Sequence, residues 1–195
     1  MNGMYTRPVS YLSEGAYLDN AKRQTQAQEY WYRKTGDTTQ GLEDLWAVIG
    51  GDLGLMVEVG AADGGSACVW QRMCPSMQIV CVDPWIEGSG YGEDVFQAFL
   101  DNTRACTVAH LRLTSLQAAP VFPDASVDFV YIDAIHTYDA MHDDIAAWLP
   151  KVKRGGWFGG HDYTPDFEGL MRAVDEAHTG TLYTFCDTSF LFRAF

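Results

Sequence analysis

Basic residues are scarce in this sequence: 13 Lys and Arg stand against 26 Asp and Glu, for a formal charge of -13 at pH 7. A net field of that sign repels a nucleic-acid backbone unless a basic patch offsets it. The densest basic group, Lys151, Lys153 and Arg154, reads instead as the end of a helix meeting its dipole. Nucleic acid is therefore not an expected partner. Paired cysteines are missing as well. The five present (Cys68, Cys74, Cys81, Cys106, Cys186) include no C-x-x-C pair, which fits neither a disulfide framework nor a structural zinc site and points to reduced thiols. No window approaches the ~18 continuous apolar residues of a membrane span, and the opening MNGMYTRPVSYLSEG has no apolar signal region. Membrane partners and export are unexpected, and the cytoplasm is the expected compartment. Repeats and low-complexity segments are also absent.

What the chain does have is 195 residues, 47% apolar and 20% charged, enough for one well-buried core and little for a second. Residues 1–45 read as a polar, aromatic helical extension or lid, with Asp19 to Thr35 compatible with a helix, and 46–195 as the main domain. A short helix is expected from Leu42 to Ile49, closed by Gly50-Gly51. Strands are expected at Leu55–Val59, Met77–Val82, Leu111–Leu113, Val127–Ile132 and Trp157–Gly160, with Gly155-Gly156 as the turn into the last of these. Helical spacing falls between them, through about Met73, at Asp94–Thr103 and at Tyr138–Leu149. Alternation of this kind argues for right-handed βαβ units and an α/β, doubly wound, mostly parallel sheet with helices on both faces. After a helix at Phe167–His178, strands at Thr181–Cys186 and Ser189–Arg193 flank a tight Asp187-Thr188 turn. That connection is too short for a parallel crossover, so the seventh and last strand should run antiparallel.

The first candidate site is VEVGAADGGS. Glu58 stands near the strand end, Gly60 permits a sharp exit, and Gly64-Gly65 let backbone approach a ligand before the next helix, with Ala61 and Ser66 in the same turn. This is the form of a nucleoside-cofactor turn, although the spacing is not G-x-G-x-x-G. An acidic Glu58 suits a cofactor carrying a positively charged amino-acid portion. Asp83, about 20 residues on at the end of the next strand, stands where a carboxylate accepts from ribose hydroxyls. Trp85 would flank the base, and Ser115, after the third strand, is a further candidate contact.

The second is VDFVYIDAIHTYDAMHDDIAAWLPKVKRGGWFGGHDY. Asp133 ends the fourth strand, His136 follows three residues later, and His161-Asp162 end the fifth. Carboxyl ends of neighbouring parallel strands line one crevice, so these four residues can converge. Two carboxylates with imidazole and water suit an oxygen-preferring divalent cation such as magnesium, and His136 is placed to act as a general base. The local alternative is that His136 caps the following helix and Asp162 forms a turn. His142 with Asp143-Asp144 reads as a solvated helix face.

On these residues the chain, over roughly Leu55 to Phe195, resembles the class I S-adenosylmethionine-dependent methyltransferases. Within them it resembles the family of macrocin O-methyltransferase-like and cephalosporin-hydroxylase-like proteins. The most specific stretch is Asp128 to Tyr163, with its D-x-x-H-x-Y-D strand end, acidic helix, G-G turn and H-D-Y. The resemblance implies a Rossmann-like seven-stranded sheet and S-adenosylmethionine held by Glu58, Gly60, Asp83 and Ser115. It implies magnesium on Asp133 and Asp162 with His161 as a further ligand, Asp133 also bordering the cofactor, and His136 as the base. It departs from the family pattern at Ala134-Ile135, where Gly-Asp or Ala-Asp is usual, and at His161, where an aspartate or glutamate is usual. The expected reaction is O-methylation of a small hydroxylated acceptor, a sugar or natural-product glycoside. The rival readings are a nicotinamide-dependent oxidoreductase and a non-catalytic methyltransferase-like binding module. The aromatics Tyr5, Tyr11, Tyr17, Tyr30, Trp31 and Tyr32 would fold over the site or form a contact between copies in a homo-oligomer.

Overall fold

The computed structural model describes residues 5–7, 39–86 and 91–194. The expected helix at 19–35 and the aromatics from Tyr11 to Tyr32 lie outside the described residues. Strands β1 (Tyr5–Arg7), β2 (Leu55–Val59), β3 (Gln78–Val82), β4 (Val108–Leu111), β5 (Val127–Ile132), β6 (Val152–Gly160), β7 (Leu182–Thr184) and β8 (Phe190–Arg193) form one sheet in the order β1-β7-β8-β6-β5-β2-β3-β4. Pairs among β2 to β6 are parallel, whereas β8 is antiparallel to both β6 and β7. This is the doubly wound, Rossmann-like seven-stranded sheet with an antiparallel C-terminal strand. The short β1, which the sequence does not announce, adds an eighth strand antiparallel to β7.

Helices α1 (Thr39–Ile49), α2 (Gly65–Met73), α3 (Glu93–Thr103), α4 (Ser115–Ala118), α5 (Tyr138–Trp148) and α6 (Glu168–Ala177) cover the two faces. Strand alternation decides which residues meet which layer. Val57, Val59, Val130, Ile132, Phe158, Phe190 and Phe192 pack with Met141, Ile145, Trp148, Met171 and Val174 from α5 and α6. Met56, Ile79, Cys81, Phe129, Tyr131, Trp157 and Leu191 face the other way, onto Leu45, Trp70, Phe96 and Phe99 from α1 to α3. Glu58 shares the parity of Met56, so its carboxyl enters this second layer rather than solvent.

Several expectations change. The third strand is Val108–Leu111, not Leu111–Leu113. It is an edge strand with Ala109 and His110 exposed, so it carries no continuous apolar run. Gly155-Gly156 do not turn into the fifth strand; they lie inside a longer β6, where the register with β5 slips between Val127 and Phe129. Gly155 there takes φ 73°, a bulge conformation suited to glycine. Of the basic cluster only Lys151 stands at a helix end, the last residue of a 3-10 turn at Leu149–Lys151. Lys153 and Arg154 lie in β6, Lys151 Nζ bonds Asp124 at 2.6 Å, and Lys153 Nζ bonds Asp128 at 2.7 Å. The second carboxylate oxygen of Asp128 accepts from the Leu55 N–H at 2.8 Å, bracing the entry to β2.

Candidate active site

From β2 the chain winds outward one way through β3 and β4, then returns to β5 beside β2 and continues to β6. The junction of β2 and β5 is therefore the topological switch point, where open α/β sheets bind ligands at the carboxyl ends of the strands. Backbone bonds align those ends in a row. Asp133 N–H donates to Val59 at 2.7 Å, Gly60 N–H to Val82 at 2.7 Å, Asp83 N–H to Leu111 at 3.2 Å and His161 N–H to Ile132 at 3.0 Å.

Gly60 is required by that alignment. Its φ is +87°, and a Cβ there would lie 1.8 Å from the Asp133 carbonyl oxygen. The turn beyond it alternates with left-handed residues, Ala62 at φ 43° and Gly64 at φ 77°, and Gly64 is the N-cap of α2 with no side-chain cap. Such a sequence of turns makes a concave backbone surface next to a helix N-terminus. Gly64 itself is tight against protein, since a Cβ would lie 2.6 Å from Thr103 Cγ2 and 2.9 Å from Phe99 Cδ2. Ala61 is buried and Ser66 is half-buried, its hydroxyl bonded to Glu58.

The acidic residues of this half are engaged internally. Glu58 is fully buried; Trp70 Nε1 donates to it at 3.3 Å and Cys81 Sγ lies 3.7 Å away. Burial pushes its pKa from 4.5 up to about 7. Asp83 accepts from Ala62 N–H at 3.1 Å and from Trp85 N–H at 2.9 Å, tying the β2 turn to the end of β3. Trp85 lies in the core rather than along the crevice: it is 2% exposed, packs on Phe96 and Phe99, and donates Nε1–H to the Ala62 carbonyl at 2.9 Å. Ser115 is also turned inward. Its hydroxyl accepts from Trp148 Nε1 at 2.8 Å and donates to Asp144.

The other half differs. His136 Nε2 lies 2.8 Å from Asp162 Oδ2 and 4.0 Å from Asp133 Oδ1, and one ligand atom from each of the three residues falls within 4.8 Å of the others. The nitrogen is buried and ion-paired with Asp162, but among the described residues its approach to that carboxylate is too poorly aligned to make a regular hydrogen bond. His136 does not cap the next helix; Thr137 does, its Oγ1 accepting from Ala140 N–H at 3.3 Å. The imidazole packs on Phe167, with ring centroids 4.4 Å apart. Asp133 and then Asp162 raise its pKa above the usual value, against the opposing effect of burial.

Asp162 reaches the cluster through a left-handed backbone, φ 61°, a conformation that aspartate tolerates better than most residues. Burial would raise its carboxyl, but His161 and His136 hold it below the ordinary aspartate range. His161 stands beside the trio rather than in it, with Nδ1 3.2 Å from Asp162 Oδ1. Burial opposes charge on that ring, yet Asp162, Asp133 and Asp187 push its pKa up to about 9.

Sequence reasoning misses three participants. Asp187, at the β7–β8 turn, is half-buried near His161 and accepts from Ser189 N–H and Oγ–H at 3.0 Å each. Phe167 has no motif to mark it. Asp144 follows two exposed residues, His142 and Asp143, but is itself buried, and burial pushes its carboxyl from 3.8 up to about 6.

With this geometry in place, the likeness to known proteins is decisive for family. Residues 57–163 match the family described as Methyltransferase domain, more than half of the chain. The chain belongs to that family. It is a class I S-adenosylmethionine-dependent methyltransferase domain, which sets aside the nicotinamide reading. No curated protein matches the chain.

Solved structures share the fold of this methyltransferase at low identity. A precorrin-6y C5,15-methyltransferase from Geobacter metallireducens is 18% identical, with TM-score 0.55, covering 71% of this chain and 66% of that one. An S-adenosylmethionine-dependent O-methyltransferase from Thermotoga maritima is 14% identical, TM-score 0.53, covering 73% and 49%. A protein from Corynebacterium glutamicum is 14% identical, TM-score 0.53, covering 89% and 90%. The chain thus spans two thirds of the first, half of the second and most of the third. Among the described residues, no helix is long and apolar enough to cross a membrane.

Proposed function

We propose that this methyltransferase transfers a methyl group to a hydroxyl of a small acceptor, a sugar or natural-product glycoside, with help from a divalent cation. The observation that carries this reading is the trio Asp133, His136 and Asp162, whose ligand atoms all lie within 4.8 Å of one another. An imidazole held between two carboxylates is placed to take up a proton, and the two carboxylates are placed to share a cation. The donor set fits magnesium: two carboxylates on adjacent strand ends and no thiolate. Asp133 and Asp162 would hold the ion, and its charge would lower the pKa of the acceptor hydroxyl.

The chain's own residues do the rest. The turn from Gly60 to Ser66 receives S-adenosylmethionine on the β2 side, with Asp133 bordering it across the switch point. Asp83 braces that turn through Ala62 and retains lone pairs for a ribose hydroxyl. His136, oriented by Phe167 and the two carboxylates, takes the hydroxyl proton as the oxygen attacks the methyl group in line. His161, its Nδ1 held by Asp162, assists by positioning that carboxylate. Within the family, the D-x-x-H strand end supports placement near the macrocin O-methyltransferase-like and cephalosporin-hydroxylase-like proteins. We take residues 46–195 as the methyl-transfer domain and 1–45 as an extension whose last part enters α1.

The test is calorimetric titration with S-adenosylmethionine and S-adenosylhomocysteine, with NADH as control, followed by transfer of labelled methyl to a panel of hydroxylated acceptors. Micromolar binding of the first two, none of NADH, and magnesium-stimulated O-methyl product are expected. Binding with product on nitrogen or carbon would overturn the O-methyl assignment.

A further inference from the structure

The cysteines lack a motif, yet the fold brings two of them together. Cys106 Sγ donates to Cys68 Sγ at 3.5 Å, although 38 positions separate them in sequence. Both are half-buried, so small reagents reach them, unlike the buried Cys74 and Cys81. Their backbones are held on both sides. Cys106 N–H caps α3 by donating to Thr103 at 2.8 Å, and the next residue, Thr107, donates its N–H to Gln71 Oε1 at 3.0 Å. Gln71 and Cys68 share one face of α2, at i and i+3. Cys68 Sγ also lies 3.5 Å from the Asn102 carbonyl.

We propose that Cys68 and Cys106 form an oxidisable dithiol, a modification site that a small disulfide closes into a bond linking α2 to the α3–β4 loop. One thiolate attacks a sulfur of an oxidised low-molecular-weight disulfide, RSSR, releasing RS⁻ and leaving a mixed disulfide on the protein. The neighbouring thiolate then attacks the protein sulfur of that mixed bond and releases the second RS⁻. The two protons from the cysteines end on the two released thiols, so RSSR is reduced to two RSH as the protein dithiol is oxidised. Burial and the neighbouring thiol push Cys68 up to about 11, which makes closure slow at neutral pH and faster in mild base.

The bond would lie directly behind the β2 turn. Asn102 Nδ2 donates to the Asp63 carbonyl at 2.9 Å, and Phe99 and Thr103 of α3 fill the space beside Gly64. Cross-linking α2 to the end of α3 restrains the unfolded chain and stiffens the scaffold of that turn. Any effect on cofactor affinity rests on the S-adenosylmethionine reading above; formation of the bond does not.

The experiment incubates the full-length protein with oxidised glutathione at pH 8.5, then counts thiols after denaturation and maps linked peptides by mass spectrometry. The count should fall from five to three, with a single Cys68–Cys106 linkage. The melting temperature should rise by roughly 5 °C on the loop-closure argument. C68S and C106S should each abolish both changes. Glutathione adducts without an internal bond, or linkage involving Cys186, would overturn the proposal. Titration with S-adenosylhomocysteine before and after oxidation separates the two claims. A bond that forms while the nucleoside binds in neither state overturns the cofactor reading and leaves the dithiol standing.

Discussion

At the ends of β2 and β3 the acidic side chains are consumed by the protein itself. Glu58 is locked among Trp70, Cys81 and Ser66, and Asp83 holds two backbone N–H groups. At the ends of β5 and β6, in the same row of strand ends, Asp133 and Asp162 crowd one buried imidazole nitrogen, ion-paired with Asp162 at 2.8 Å but poorly aligned for a regular hydrogen bond. One half uses charge to hold a shape against which a ligand can rest; the other sets carboxylates and imidazoles against one another. The difference is what the proposed function builds on, because titratable groups crowded into one crevice shift one another's proton affinity, whereas a carboxylate bound to backbone mainly holds a shape.

The comparison breaks first at His136. Replacing it with alanine removes the proposed base, and methyl transfer should fall by roughly 10²- to 10⁴-fold. S-adenosylmethionine affinity should change by no more than about threefold, since the β2 half is untouched, a factor worth under ~1 kcal/mol. Single-turnover rates alongside calorimetry would check this, and equal losses in both would merge the two halves. Gly60→Ala attacks the seam itself. A Cβ 1.8 Å from the Asp133 carbonyl at φ +87° forces β2 and β5 apart, and we expect a loss of about 3 kcal/mol or more in denaturant unfolding.

Glu58→Gln sharpens the claim that the β2 half is structural. Wild-type Glu58 has a folded pKa of about 7 against an ordinary 4.5, so between those values the folded state holds the extra proton. Stability therefore falls as pH rises through that window and is flat above it, by about 3 kcal/mol in all for this buried group. The glutamine variant should lack that slope and gain on wild type at pH 8 relative to pH 4; parallel stability curves would contradict the burial argument. Asp144→Asn should act in the same sense over the lower window between 3.8 and about 6. Its effect should be smaller, about 1 to 2 kcal/mol, because Asp144 is less completely buried and the Ser115 hydroxyl donates to its charged form.

Much of this was legible beforehand. Continuous apolar runs marked β2, β3 and β5, because strands covered on both faces have no polar side to interrupt them. The short Asp187-Thr188 link gave the antiparallel finish. Edge position hid β4, and the bulge at Gly155 hid the first half of β6. Carboxyl ends of strands placed Asp133, His136 and Asp162 in one crevice, since topology alone does that. What topology leaves open is rotation about each side chain. Hence His136 rather than His161 completes the trio, and Trp85 and Ser115 turn inward to bond Ala62 and Trp148. Asp144 and Asp187 were invisible because their surroundings depend on distant elements packing against them.

The most direct test of the division is to titrate magnesium into the protein held with S-adenosylhomocysteine, comparing wild type with Asp162→Asn. The account predicts a saturable magnesium site in wild type, weakened at least ~10-fold in the variant as expected for loss of a charged ligand. S-adenosylhomocysteine affinity should be nearly the same in both. Absence of magnesium binding in wild type, or loss of the nucleoside together with the metal, would contradict it.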